Sequence, residues 1–133
     1  MKKLATQLVL ALAAFSAAGT VQAAHEGQVF GTQFRCGGSR VEEASQMKTA
    51  AAVHDIMLMF ASSSGEFVSG VRVDLHNAKG ELLMSAQCGG PIMLIDVPTI
   101  GEYRVSAHFN GVKKQQKMRV GIAGQATSNL FIW

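Results

Sequence analysis

The sequence predicts a mainly β protein, a Greek-key β-sandwich of seven to eight strands with one short helix near its N-terminal side. Three observations carry this. From His54 onward, apolar and polar residues alternate with a period of two. Turn signals built on glycine, proline and asparagine recur at nearly regular intervals. A helical period is present in one stretch of the mature chain only.

In chain order, residues 1–23 read as a secretory leader. Lys2 and Lys3 form a positive start, Leu4 to Ala18 an apolar run, and Val21-Gln22-Ala23 the small-residue pattern of a cleavage site, with cuts after Ala23 or Ala24 both open. The run falls short of the ~20 apolar residues of a membrane helix, and no cysteine stands at the cut to carry a lipid anchor. A single domain of about 110 residues, 24–133, remains, enough for one core.

"GQVFGTQF" then reads as a short first strand centred on Val29 and Phe30, and "CGGS" as a turn. Ser39-Arg40-Val41-Glu42 matches a capping box. Val41, Ala44, Met47, Ala51 and Ala52 follow at helical spacing, which predicts a helix over about 40–53. "DIMLMFA" is an unbroken apolar run of strand length and reads as a central strand. "EFVSGVRVDLHN" alternates, with Phe67, Val71, Val73 and Leu75 inward and Arg72, Asp74 and His76 outward. Asn77–Gly80 is a turn, "ELLMSAQ" a strand, Gly89-Gly90-Pro91 a turn, and "IMLIDV" a strand closed by Pro98. "GEYRVSAHF" leads through Asn110-Gly111 into "VKKQQKMRV", and a turn over Gly121–Gly124 leads into "ATSNLFIW".

Charge and cysteines bound the chemistry. Losing Lys2 and Lys3 removes two of the 12 basic residues against 9 acidic ones, leaving a mature net charge of about +1. That balance argues against nucleic acid or an anionic bilayer as partner, and no later apolar segment is long enough to span a membrane. Cys36 and Cys88 survive leader removal, and an even count in an exported chain predicts a structural disulfide. Each precedes Gly-Gly, which places both in turns at strand ends. A bond between them closes a loop of about 50 residues, a stabilisation of about 4 kcal/mol by chain entropy. Two free thiols or a redox-active pair are the readings set against it, and the absence of C-x-x-C leaves the redox one without support.

The segments "VSGVRVDLHNAKGELL", "IMLIDVPTIGEYRVSAHFNG" and "MRVGIAGQATSNLFI" together resemble the carboxypeptidase regulatory-like, or transthyretin-like, β-sandwich over about residues 66–133. Val71, Val73, Leu75, Gly80, Pro98, Gly101, Tyr103, Val105 and Gly124 take the places of that family's pattern. With Gly37-Gly38, Glu42-Glu43 and Gly90-Pro91, the chain is similar to small exported bacterial proteins that carry this module. The resemblance implies a fold and no chemistry. Such modules accompany larger enzymes or receptors, and this chain has no room for a peptidase domain. Its cysteines lie outside the family pattern.

Candidate chemical groups are few. His25, His54, His76 and His108 share no metal-ligand spacing, and the last three read as a junction residue and two solvent-facing strand residues. His25 is the exception. Cleavage beside it puts a free amine, an amide and an imidazole together, a copper chelate, so a periplasmic copper carrier using His25 is the alternative reading. The six methionines other than Met1 form no loop cluster, and Met57, Met59, Met93 and Met118 read as core or strand residues. The acids are scattered, and adjacent Glu42 and Glu43 point to different sides of a helix, so no acid–base pair and no catalytic residue is assigned. No nucleophile elbow or phosphate-binding loop is present.

One stripe remains. "VKKQQKMRV" carries Lys113, Gln115, Lys117 and Arg119 on one face, across a turn from His108 and Arg104. Val112, Lys114, Gln116, Met118 and Val120 lie on the other, where an inward lysine blunts a sheet edge. Lys113, Lys117 and Arg119 form the candidate basic patch for an acidic partner or polysaccharide, and the stripe lacks the aromatics that single-stranded nucleic acid requires. The expectation is a periplasmic, non-catalytic binding or accessory module without a cofactor. Its partner is a protein or glycan of the cell envelope. A structural protein that self-assembles is a third reading.

Overall fold

The computed structural model describes residues 26–29, 31–121 and 126–133, with side chains from 31 on. The chain is mainly β. Nine strands are present among these residues: β1 Glu26–Val29, β2 Thr32–Gly37, β3 Ile56–Ala61, β4 Val71–Asn77, β5 Leu82–Cys88, β6 Ile92–Asp96, β7 Gly101–Phe109, β8 Val112–Val120 and β9 Thr127–Ile132. One helix, α1 Val41–Ala50, runs into a single 3-10 turn, Ala51–Val53. The strands form a five-stranded sheet in the order β1-β2-β6-β3-β9 and a four-stranded sheet in the order β5-β4-β7-β8. The β3–β9 pair is parallel; the other pairs are antiparallel.

A shared apolar core joins the two sheets. Phe34, Ile56, Leu58, Phe60, Met93, Ile95 and Phe131 from the first meet Val71, Val73, Leu75, Met84, Tyr103, Val105, Ala107, Met118 and Val120 from the second. Each large aliphatic or aromatic side chain there, at or near zero exposure, contributes about 2 kcal/mol of transfer free energy. The unbroken runs "IMLMFA" and "IMLID" have a second explanation beyond the core. Their alternate residues Met57, Met59, Ile92 and Leu94 face outward, where Met47 and Ala51 of the helical segment cover them. This part of the five-stranded sheet is therefore apolar on both faces, and the period of two disappears from its sequence.

Four local expectations are corrected. "GQVFGTQF" is two strands of a hairpin, because the chain reverses between Val29 and Thr32 at Gly31, whose φ is +80°. Phe67 is not inward: it is 51% exposed and forms only an isolated bridge with Ala61. Positive φ at Gly65 and Gly70 interrupts the extended backbone on both sides of it, so the alternation seen from Val71 onward does not extend back. The expected capping box does not form. Arg40 occupies the N-cap without a side-chain bond, and Glu43, not Glu42, reaches back to accept the Gly38 N–H at 2.6 Å. Val41, expected on the covered helix face, is 84% exposed.

The turns follow their residues. Asn110 and Gly111 adopt φ of 48° and 75°, as a two-residue hairpin demands, and fix the β7–β8 register. The Tyr103 hydroxyl donates to the Thr99 carbonyl, a tyrosine corner that pins the Pro98 loop to β7. Asp55 and Asp96 brace the ends of β3 and β6: the Asp55 carboxylate accepts from the Val97 amide at 2.9 Å, and Asp96 from the Asp55 amide at 3.2 Å.

The two seams between the sheets are closed differently. At one, Cys36 of β2 and Cys88 of β5 form a disulfide with Cα atoms 5.5 Å apart. Gly90 packs so closely on the Gly37 backbone that a Cβ there would collide with the Gly37 carbonyl, which explains the glycine at position 90. At the other seam, β8 and β9 exchange side-chain bonds. Thr127 Oγ1 donates to the Arg119 carbonyl at 2.7 Å, Gln116 Nε2 to the Leu130 carbonyl at 3.0 Å, and Trp133 Nε1 to the Val112 carbonyl at 3.0 Å. Asn129 Nδ2 donates to Gln116 Oε1 at 2.5 Å.

Candidate functional site

The outward face of the four-stranded sheet gathers charged residues from three strands, and register decides what stands beside what. Because residues 109 and 112 are paired across the Asn110-Gly111 turn, Lys113 is opposite His108, Lys117 opposite Arg104, and Arg119 opposite Glu102. On the other side of β7, Arg104 is opposite His76, Ser106 opposite Asp74, and His108 opposite Arg72. Rows of basic residue types therefore cross three strands: His76–Arg104–Lys117 and Arg72–His108–Lys113. Neighbouring strands are about 4.8 Å apart, and the two rows about 13 Å, given four residues of strand between them.

The two rows differ in their counterions. Asp74 sits at the centre of the face with its side chain 13% exposed. Ser85 Oγ donates to its carboxylate at 2.6 Å, Arg72 Nη2 at 3.3 Å, and His108 Nε2 stands 3.4 Å away. Burial alone would raise the Asp74 pKa. The Ser85 and Arg72 hydrogen bonds, with the charges of Arg72 and His108, outweigh it and hold the carboxyl below its ordinary 3.8. Arg104 and Lys117 have no such partner: neither lies within salt-bridge distance of a carboxylate among the described residues. Cations directly opposite one another across strands destabilise a sheet.

At the end of this face nearest the β4–β5 turn is an open depression of about 370 Å³ lined by Asn77, Ala78, Lys79, Gly80, Glu102, Tyr103, Arg104 and Lys117. A second of about 250 Å³ shares its Asn77–Lys79 wall and reaches Thr99 and Ile100. The turn is ordered by its own bonds. Asn77 Oδ1 accepts from the amides of Lys79 at 3.0 Å and Glu81 at 2.9 Å, while Gly80 takes φ of +82°.

The structure places the patch residues Lys113, Lys117 and Arg119 together, all exposed on one edge strand. Lys114, opposite buried Ala107 and itself exposed, stands on the inward side of that edge. Sequence reading missed Lys79, Arg72 and Asp74 as members of the face. The register implied by the Asn-Gly turn gave Arg104; the β4 contribution needed the sheet order, which no local signal carries.

The other candidates resolve as follows. Cys36 and Cys88 are bonded to each other, so neither is a free nucleophile. His54 Nδ1 lies 2.9 Å from Asp96 Oδ2 at the junction before β3, a structural brace. His76 is half-buried, with Nδ1 enclosed and without a hydrogen-bond partner. Among the described residues no three His, Cys, Asp or Glu side chains are grouped to hold a metal ion. His25, the copper candidate, lies outside the described residues. No described helix is long and apolar enough to cross a membrane. The chain matches no family model, no curated protein and no solved structure.

Proposed function

We propose that this chain is a non-catalytic binding or accessory module of the cell envelope, exported by the leader 1–23, with the outward face of its four-stranded sheet as working surface. The observation that supports it is the row Arg104–Lys117, which no carboxylate among the described residues meets at salt-bridge distance, flanked by Lys113 and Arg119. Directly opposed cations cost folding free energy, and nothing in the packing requires them. A surface that carries that cost is accounted for by an acidic partner, protein or glycan.

The export reading is supported by the Cys36–Cys88 disulfide, which persists in oxidising compartments. The Greek-key, transthyretin-like reading is supported by the chain's repeated passage between sheets: β3 in one, β4 and β5 in the other, β6 back, β7 and β8 across, and β9 back. Under this reading α1 and the five-stranded sheet are scaffold.

The test is capture of envelope partners by the purified protein. Replacing Lys113, Lys117 and Arg119 together with alanine should weaken capture by at least about tenfold, as expected for charged contacts across an interface. Unchanged capture discards the patch. A mass spectrum of the exported protein should give a mature chain beginning at Ala24 or His25 and lighter by two hydrogens than the reduced form.

A further inference from the structure

We propose that the depression beside the β4–β5 turn binds an anionic group of an acidic polysaccharide, a chain carrying carboxylates or sulfates along its length. This rests on the reading of the charged face as a binding surface, and adds which end grips and what it grips.

The two ends of the face differ in what their cations already hold. At one end Arg72 and His108 converge on Asp74. At the other, Lys79, Arg104 and Lys117 line one depression with a single carboxylate, Glu102, in its wall. The three cations come from a turn and two strands, so each is fixed by different backbone. The Lys79 amide is held by the Asn77 side chain, which orders the turn that carries it. An anion entering from solvent thus meets three cations carried on ordered backbone.

The lining also says what the ligand is not. It holds no exposed apolar side chain larger than Ala78, since Tyr103 is 3% exposed and engaged with Thr99. A protein hot spot seats an aromatic or aliphatic anchor in a dry pocket, and this depression offers none. It also offers no exposed aromatic face on which a base could stack. A hydroxyl-rich polyanion needs neither. Laid across the strands, it meets Lys117, Arg104 and His76 at intervals of about 4.8 Å.

Isothermal titration of the full chain in low salt tests this, with heparin and alginate oligosaccharides as probes and dextran and oligothymidylate as controls. Two double variants remove equal charge: Arg104→Ser with Lys117→Ser inside the depression, and Lys113→Ser with Arg119→Ser outside it. The inner pair should weaken binding to heparin and alginate by about tenfold or more, and the outer pair by about threefold at most. Glu102→Gln should tighten binding by removing the like charge. Lys79→Glu, on an exposed turn whose bonds are made by its backbone, should weaken binding without altering the fold. Near-UV circular dichroism of Tyr103 and Trp133 checks that each variant is folded. Equal losses in the two pairs overturn the proposal, as does binding of oligothymidylate as tight as that of the polysaccharides. No binding to heparin or alginate overturns it too. In that case, partner capture that still depends on Lys113, Lys117 and Arg119 leaves the binding-module reading standing, and capture indifferent to them removes both.

Discussion

The two seams of this protein do the same job by opposite means. Between β2 and β5 a single covalent bond, Cys36–Cys88, joins the sheets. Between β8 and β9 the work is divided among Thr127, Gln116, Asn129 and Trp133, each satisfying a backbone or side-chain group of the neighbouring edge. A bridge that closes a long loop acts on the unfolded chain and is worth several kcal/mol at once. A hydrogen bond is worth about 1 kcal/mol at most where it is exposed, as three of these four are, and loss of one leaves the rest in place. The first seam therefore responds to redox state, while the second degrades gradually. The second also lies at β8, the strand that carries Lys113, Lys117 and Arg119, so its bonds hold that strand in place as well as covering an edge.

The largest expected effect is at the covalent seam. Replacing both Cys36 and Cys88 with alanine, or reducing the protein, should lower unfolding free energy by about 4 kcal/mol in a denaturant titration. A loss of less than about 1 kcal/mol would mean that the seam is held by packing alone. Next, Gly90→Ala drives a Cβ into the Gly37 backbone, which has no rotamer to yield. It should cost about 2–3 kcal/mol, measured as a fall in Tm. Gly31→Ala meets no atoms, and its cost should be limited to the positive φ, about 1 kcal/mol. That contrast separates collision from backbone strain.

At the hydrogen-bonded seam, Gln116→Ala removes two bonds and should cost about 1–2 kcal/mol. It also frees the edge of β9, so a concentration-dependent mass in light scattering should accompany the loss.

The smallest effect concerns Asp74. Its folded pKa lies below the unfolded value, so its stabilisation is complete above about pH 4 and is lost as pH falls through the lower folded value. Asp74→Asn should therefore lower stability by about 1 kcal/mol at pH 7 and leave a shallower decline on acidification than in the wild type. Parallel acid limbs in the two proteins would contradict the Ser85–Asp74–Arg72 arrangement.

How much of this was legible in the sequence depended on the range of the determining contact. Val71, Val73 and Leu75 announce their facing by alternation, and Asn110-Gly111 announces both a turn and a register. The partner of Lys117 could thus be counted without a structure. Glu43 and Phe67 could not be placed in that way. The helix start is set by the Gly37–Gly38 backbone and its need for an acceptor, and the fate of Phe67 by positive φ on either side. The strand count slipped where one glycine, Gly31, turned an apparent strand into a hairpin. Asp74 and Lys79 entered the site only through sheet order, which brings β4 between β5 and β7 by contacts far apart in sequence.

On the proposed reading, the charged face of the four-stranded sheet binds the partner and the rest of the fold supports it. An amide NMR titration of the folded, oxidised protein with heparin oligosaccharide tests this most directly. The account predicts shifts confined to the amides of Asn77–Gly80, Glu102–Arg104 and Lys113–Arg119, with α1 and the Phe67 segment silent. Shifts centred on the groove between α1 and Phe67, or none at all, would contradict it.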